Sequence, residues 1–321
     1  MLKEKIEEIK SDIKDVFDLD FSFSDTKSVP SLQDSTLTYE KGNIKKGKTI
    51  YTCVLFVDIR DSVNLNATHQ AKTMGKIYTA FTKSVLKIAR YYGAFVRNII
   101  GDRVMVVFPS ENCFVNAVDC AISINHISNE INKAINNGDF KCGIGIDYGK
   151  MSVIKVGVTV KGDENNENNE NKGLVWVGEP ANFASRLTDN ANKTITRIYY
   201  HIEGSYTTPE NLLPNNPFFS NGINKTVHKA VDYDEEDFSH HIFMYNGNLH
   251  LREFSRIDRF ERKNEEYKYP AILISEKVFQ EFKTARPNDK AIKLNWWKLQ
   301  EHPIRNVSYK VYGATLTWVF S

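Results

Sequence analysis

The stretch Tyr51-Thr-Cys-Val-Leu-Phe-Val-Asp58-Ile59-Arg60-Asp61-Ser62-Val63 decides how this chain folds. Its first seven residues are almost wholly apolar, β-branched or aromatic, which predicts a strand buried on both faces. The strand ends at a carboxylate, so oxygen ligands and backbone N–H groups face whatever lies beyond it. This pattern indicates a metal and phosphate site, although Asp58 can equally well do no more than open a turn.

The elements on either side of this strand predict an α+β fold with a ferredoxin-like core. Apolar periodicity predicts helices over 71–92 and 112–136 and strands over 94–100, 103–108, 141–147 and 151–160. The order β-α-β-β-α-β is that of a split βαβ sheet, in which the third strand lies antiparallel between the first two. Gly101-Asp102 forms the hairpin turn, so we expect Asp102 to lie near Asp58 at one end of the sheet.

Composition narrows the function classes. The chain has 321 residues, 41% hydrophobic and 26% charged, with a net charge of +2. This balance gives no general electrostatic case for binding nucleic acid or an anionic membrane. No apolar run approaches the roughly 20 residues that cross a bilayer. Its four cysteines form no C-x-x-C pair, which predicts buried free thiols and a cytoplasmic protein.

The remaining segments fall into three groups. Residues 1–47 are predicted to be an N-terminal helix followed by a linker or an edge segment, and the helix can pack on its own domain or on a second subunit. Residues 48–321 are predicted to form one domain, in which the segment 197–268 has only weak periodicity; the family resemblance described below implies that this is the catalytic domain and that the segment is an insertion in it. The Asn- and Glu-rich residues 161–172 predict a disordered loop. Gly178-Glu-Pro180 opens a helix that places Asn182 and Arg186 on one face.

These side chains suit the chemistry of a nucleoside triphosphate. Two converging carboxylates favour Mg²⁺ or Mn²⁺, and two such ions can activate an attacking oxygen and neutralise a leaving pyrophosphate. The loop Ile59–Val63 offers N–H groups to the β- and γ-phosphates. Arg186 can stabilise charge on the α-phosphate and Asn182 can orient the ribose. The alternative for this pair is a solvated helix face.

Four motifs in this order resemble the class III nucleotidyl cyclases: Phe56–Ser62, Ile100–Val107, Gly145–Gly149 and Gly178–Arg186. The resemblance covers roughly 48–195 and 268–321. It implies that Asp58, Asp102 and the Ile59 carbonyl hold two metal ions, and that Asn182 and Arg186 come from the opposite subunit of a head-to-tail homodimer. The implied reaction closes a 3′,5′-cyclic nucleotide and releases pyrophosphate.

The chain departs from this family where the base is selected. Adenylate cyclases carry Lys and guanylate cyclases Glu at the position of Asn98, and the partner position, usually Asp, Cys or Ser, is Val175. The late phosphate-binding lysine is also missing, which leaves Arg60, Arg103 and Lys150 as alternatives. The implied substrate-binding residues are Arg60, Asp61, Ser62, Val63, Asn98 and Val175.

With these departures and the insertion, the chain resembles the pyrimidine cyclases of bacterial Pycsar antiphage systems. That resemblance implies a substrate of CTP or UTP, a product of cyclic CMP or cyclic UMP, and an effector protein that the messenger activates. It implies binding to neither nucleic acid nor membrane. Three alternatives remain open: a purine cyclase with unusual base contacts, a catalytically silent nucleotide-binding domain, and a ferredoxin-like nucleic-acid binder. Of these, the binder conflicts with the Val- and Ile-filled strands.

Overall fold

The strand that ends at Asp58 lies in the middle of the main sheet. The computed structural model describes residues 1–39, 44–135, 139–157, 172–209 and 224–320. This strand, β2, spans Ile44–Ile59 and so begins seven residues before Tyr51. Cys53, Leu55 and Val57 face a helix-covered core, whereas Ile50 and Val54 face a second cluster on the other side of the sheet. Burial on both faces explains why the run is apolar at successive positions.

The ferredoxin-like core is confirmed by the element order and by the strand order. The elements that follow β2 are α2 (Ser62–Thr68), α3 (Ala71–Tyr91), β3 (Phe95–Ile100), β4 (Arg103–Val107), α4 (Cys113–Ala134) and β5 (Cys142–Gly157). In the sheet the core strands lie in the order β5-β2-β4-β3 and each neighbouring pair is antiparallel. The hairpin turn is Gly101-Asp102, with Gly101 at φ 60°. Glycine adopts this left-handed conformation without strain.

The predicted strands 141–147 and 151–160 are wrong as two elements, because both belong to the single strand β5. Its pairing with β2 continues without a break through Thr52↔Gly149 and Tyr51↔Lys150. The long partner strand holds Gly149 and Lys150 extended, where the sequence suggested a turn. The predicted loop 161–172 lies outside the described residues except for Lys172, which begins β6 (Lys172–Val177).

The sheet is extended by elements from both ends of the chain. The strand β1 (Asp20–Asp25) pairs in parallel with the first part of β2, so part of 19–48 is an edge strand. The helix α1 (Leu2–Phe17) has no buried residue, so of the two alternatives for this helix the structure does not show packing on its own domain. Further along the chain, the elements are α5 (Glu179–Asn190), β12 (Ile272–Ser275), α7 (Glu276–Ala285), α8 (Lys290–Lys293), β13 (Lys298–Leu299) and β14 (Val311–Ala314).

Residues Thr194–Lys268 form a separate compact unit, and the remaining residues form the first unit. The second unit contains β7 (Thr194–Pro209), β8 (Asn224–Asp234), α6 (Glu235–His241), β9 (Ile242–Tyr245), β10 (Asn248–Leu251) and β11 (Arg256–Lys268). β7 lies between β8 and β11 in an antiparallel sheet. A small core of Ile202, Tyr233, Leu251 and Phe254 packs together in this unit. Its bounds lie within three residues of the predicted insertion.

The four cysteines are buried and free, as predicted. Among the described residues no helix is both long enough and apolar enough to span a bilayer.

Candidate active site

The two predicted metal ligands lie at one end of the main sheet. β2 and β4 are antiparallel with Val57 opposite Val104, and the register extended by one residue places Asp58 opposite Arg103. Asp102 immediately precedes Arg103 in the hairpin turn. The topology therefore brings together carboxylates that are far apart in the sequence.

Two guanidinium groups hold the Asp58 carboxylate. Arg60 Nη2 donates to Asp58 Oδ2 at 3.1 Å and Arg103 Nη2 donates to the same oxygen at 2.9 Å. The Asp58 side chain is only 16% exposed. A carboxylate removed from water needs such partners, since an unpaired buried charge is strongly destabilising.

Arg60 is buried behind Asp58 and is not placed to extend into solvent. Its side chain is 7% exposed, and its Nη1 donates to the Asp189 carbonyl at 3.3 Å. A Cβ at Gly143 would lie 2.8 Å from Arg60 Nε, so this glycine makes room for the guanidinium group. Burial lowers the pKa of Arg60, although the Asp58 charge opposes that effect. Since its guanidinium group is enclosed, Arg60 pairs with Asp58 and does not reach the solvent.

Arg103 is more exposed and links Asp58 to helix α5. Its Nη1 donates to Ser185 Oγ at 2.9 Å, and its Nη2 donates to Asp189 as well as to Asp58. Burial acts to lower the pKa of Arg103, but its hydrogen bonds to Asp58 and Asp189 raise the pKa above its ordinary value. Both guanidinium groups therefore contact the last turn of α5, where a cation also interacts favourably with the helix dipole.

The donor set at this end of the sheet fits a hard divalent cation. Asp102 is partly exposed and makes no ion pair with another described residue. No group of three or more His, Cys, Asp or Glu residues in the described ranges is arranged to hold a metal ion. Two carboxylates and a backbone carbonyl nevertheless suit Mg²⁺ or Mn²⁺, which complete their coordination with water and phosphate oxygens. Binding an ion at Asp58 requires it to compete with Arg60 and Arg103.

The predicted phosphate loop leads into the short helix α2. Asp61 is its N-cap residue, at φ 55°, and its side chain accepts a hydrogen bond from Asn64 Nδ2 at 3.2 Å. Ser62 begins the helix and Val63 is largely exposed. The loop is thus at the surface beside Asp58, with the side chain of Asp61 held locally.

Asn182 and Arg186 lie on an outer face of α5. Asn182 is exposed, and Arg186 Nη1 donates to the Asn306 carbonyl at 2.5 Å with its guanidinium carbon 5.5 Å from the Phe183 ring centroid. In the described part of the chain neither residue bonds to Asp58 or Asp102. The hydrogen bonds of Arg186 thus go to other parts of the chain than the two carboxylates.

The two predicted base-selecting residues do come together. Asn98 and Val175 line one cavity of about 650 Å³, with Phe56, Met105, Arg97 and Trp176 also in its wall. The pairing of β3 with β4 shifts by one residue between Val96 and Asn98, so Arg97 is the bulged residue. A bulge of this kind redirects a side chain that regular alternation would send elsewhere.

The prediction missed Arg97 and Trp176, which also line this cavity. Arg97 Nε and Trp176 Nε1 are buried and have no hydrogen-bond partner within the described ranges. Arg97 also lies over the Phe95 ring, 4.7 Å from its centroid, and burial lowers its pKa. The one sequence feature that accompanies the bulge in β3 is the adjacent polar pair Arg97-Asn98 in an otherwise apolar strand. This pair alone does not predict a bulge.

A second cavity, of about 1020 Å³, lies beside the N-terminal end of α5. Its wall includes Lys150, the N-terminal turns of α5 and α7, and the buried Asp147. Burial raises the pKa of Asp147 to about 6, although the neighbouring hydroxyls of Ser275 and Tyr309 oppose the rise. Lys150 lies next to Gly178, at the N-terminal end of α5, whereas Arg60 and Arg103 contact Asp189 near its C-terminal end. The three candidates for phosphate binding therefore do not form one cluster.

In sequence, the chain is similar to bacterial proteins named uridylate cyclase. A uridylate cyclase from Burkholderia cepacia is 30% identical over 198 residues, which cover 60% of this chain and 80% of that protein. A uridylate cyclase from Gulbenkiania mobilis is 25% identical over 209 residues, covering 59% and 75%. The adenylyl cyclase CyaB from P. aeruginosa superimposes with a TM-score of 0.46 and 14% identity, covering 83% of this chain and 94% of that one. No protein-family model matches the chain.

Proposed function

The chain belongs to the uridylate cyclase family of nucleotidyl cyclases, and from that premise we propose that it is a pyrimidine nucleotide cyclase whose preferred substrate is UTP. CTP is the second pyrimidine substrate to be considered. The proposal rests above all on the cavity that contains Asn98 and Val175, because the side chains in its wall can be matched to the edge of a base.

The hydrogen-bond donors of this cavity favour uracil. The Asn98 amide can both donate and accept, so it fits either pyrimidine. Arg97 and Trp176 line the same cavity, and their side chains carry hydrogen-bond donors and no acceptor. Uracil presents the O4 acceptor where cytosine presents an amino donor. A cavity wall with donors of this kind therefore favours the base that has more acceptor oxygens.

The positions of the catalytic groups support a homodimer with shared sites. Asp58 and Asp102 lie at the end of the sheet, whereas Asn182 and Arg186 lie on an outer face of α5. A second copy can place its Asn182 and Arg186 over the Asp58 side of the first. In a two-fold dimer this arrangement forms two equivalent sites.

The proposed reaction is an intramolecular phosphoryl transfer. The ribose 3′-oxygen attacks the α-phosphorus, the bond to the β-phosphate oxygen breaks, and the products are a 3′,5′-cyclic nucleotide, pyrophosphate and one proton. Asn182 orients the ribose, and the charge of Arg186 stabilises the α-phosphate oxygens as negative charge grows on them. Two Mg²⁺ or Mn²⁺ ions, held by Asp58, Asp102 and the Ile59 carbonyl, would supply positive charge at the reacting phosphates.

The biological role that we propose is antiphage signalling. A cyclic pyrimidine nucleotide differs from the common purine messengers, so a dedicated effector protein can respond to it alone. This part of the proposal comes from the resemblance to the cyclases of Pycsar systems. It is tested by asking whether a neighbouring gene encodes a protein that binds cyclic UMP.

The activity is tested with an equal mixture of UTP, CTP, ATP and GTP in the presence of Mn²⁺. We expect cyclic UMP as the main product by chromatography and mass spectrometry. The variant Arg97→Gln should lower the kcat/KM for UTP about tenfold or more and affect CTP less. The reason is that the lost guanidinium donor pairs with O4 of uracil, whereas cytosine has an amino group there. Arg90→Gln, at the exposed end of α3, is the matched control. Product from ATP or GTP alone would refute the pyrimidine proposal, and no product at all would favour a silent nucleotide-binding domain.

A further inference from the structure

Arg103 connects two parts of the chain that the proposed function assigns to different active sites. On one side it holds Asp58, and on the other it holds Ser185 and Asp189 of α5. Asp58 belongs to the metal side of one site, whereas α5 presents Asn182 and Arg186 to the other. We infer that Arg103 is a positioning residue that couples the occupancy of the metal side to the placement of helix α5. This inference rests on the proposed function.

Of the two guanidinium groups that pair with Asp58, only that of Arg103 can change its interactions readily. Arg60 is enclosed, with Gly143 and the Asp189 carbonyl against it. Arg103 is 28% exposed, and its Nη2 is shared between Asp58 and Asp189. Because one nitrogen serves two carboxylates, a change at either carboxylate alters its interaction with the other.

Competition between a cation and Arg103 for Asp58 determines whether metal binding strengthens or weakens the contact between Arg103 and α5. A cation that binds Asp58 must weaken the bond from Arg103, and Arg103 then interacts more strongly with Asp189. By thermodynamic reciprocity, removing the Asp189 charge must strengthen the Arg103–Asp58 bond and weaken metal binding. α5 is therefore held most firmly when the metal side is occupied, which is the state in which Asn182 and Arg186 are needed.

The test measures Mn²⁺ binding to the nucleotide-free full chain by electron paramagnetic resonance. Asp189→Asn changes a half-exposed residue outside the donor set, and it should weaken Mn²⁺ binding about threefold, as expected for a partly exposed charge pair. Arg103→Gln removes a competitor for Asp58 and should strengthen binding by a similar factor. Glu179→Gln is the matched control, because it removes the same charge from the first turn of the same helix.

Opposite shifts support the inference when Asp189→Asn has no further effect on Mn²⁺ affinity in the Arg103→Gln chain; additive shifts, which direct charge effects on the ion would give, overturn it. An unchanged affinity in Asp189→Asn overturns it, even where UTP turnover falls. A double-variant cycle on urea unfolding provides the second measurement, and independent effects of the two substitutions would likewise overturn the link. If the wild-type chain binds no Mn²⁺, the proposed function fails, and the inference fails with it.

Discussion

Replacing Asp58 and replacing Asp102 should have different effects on stability, although both abolish turnover. Asp58 accepts hydrogen bonds from two guanidinium groups in a nearly buried setting. Asp102 makes no ion pair with another described residue. From the sequence alone the two carboxylates are equivalent, and neither replacement is expected to unfold the protein.

The cost of Asp58→Asn follows from these contacts. A hydrogen bond to a charged group contributes about 1.5–3 kcal/mol. Asparagine keeps one acceptor oxygen, and Arg103 keeps Asp189, so the main loss is the compensation of the buried Arg60 charge. We therefore expect a loss of about 2–3 kcal/mol, and at about 2–4 °C per kcal/mol for a domain of this size Tm falls by about 4–12 °C.

The assay compares Asp58→Asn with Asp102→Asn by thermal and urea unfolding, followed by circular dichroism, and by cyclic nucleotide formation. Asp102→Asn should stay within about 0.5 kcal/mol of wild type, as for other exposed substitutions. Equal destabilisation by the two variants would refute the reasoning. An Asp58→Asn protein as stable as wild type would show that the guanidinium pairs contribute nothing in solution.

Three further outcomes are expected. Because the pKa of Asp147 is about 6 against an ordinary value of 3.8, the folded chain binds more protons there than the unfolded chain between these values. Stability from this group thus falls as the pH rises through that window, and Asp147→Asn should be up to about 3 kcal/mol more stable at pH 7.5 and show a flatter profile in urea titrations from pH 4 to 7.5. The double variant Asn98→Lys with Val175→Asp should form cyclic AMP and lose at least about tenfold in cyclic UMP formation, since its polar groups would match adenine; unchanged nucleotide selection would exclude this cavity as the base site. A one-to-one mixture of Asp102→Asn and Arg186→Ala chains should recover about a quarter of wild-type turnover, because half of the dimers would carry one intact site of two; no recovery after subunit exchange would refute shared sites.

The parts of the fold that were predictable are those encoded over short distances. The apolar run of β2, the helical stripe of α3 and the Gly101-Asp102 turn each depend on neighbouring residues. Once these elements are placed, the split βαβ order brings Asp58 and Asp102 to one end of the sheet. Asn98 and Val175 were predicted by resemblance to select the base, and both residues line one cavity.

The residues that were missed depend on register and on contacts between distant segments. Arg97 turns toward the cavity because of a one-residue bulge, which the sequence does not mark. Asp189 contacts Arg103 across 86 positions of the chain. The second unit was predicted only as an insertion, because β11 alternates charged residues on exposed faces and therefore lacks the apolar period by which strands are recognised.

The arrangement around Asp58 also bears on how a metal site can fold without its metal. A nearly buried carboxylate without a compensating charge would strongly destabilise the folded state, since removing a charge from water costs free energy. Here Arg60 and Arg103 supply the compensating charge within the chain. The free chain therefore compensates Asp58 without an ion. Under the proposed function, an ion at Asp58 would have to bind close to two positive charges, so the contacts that stabilise the free chain would lower its metal affinity.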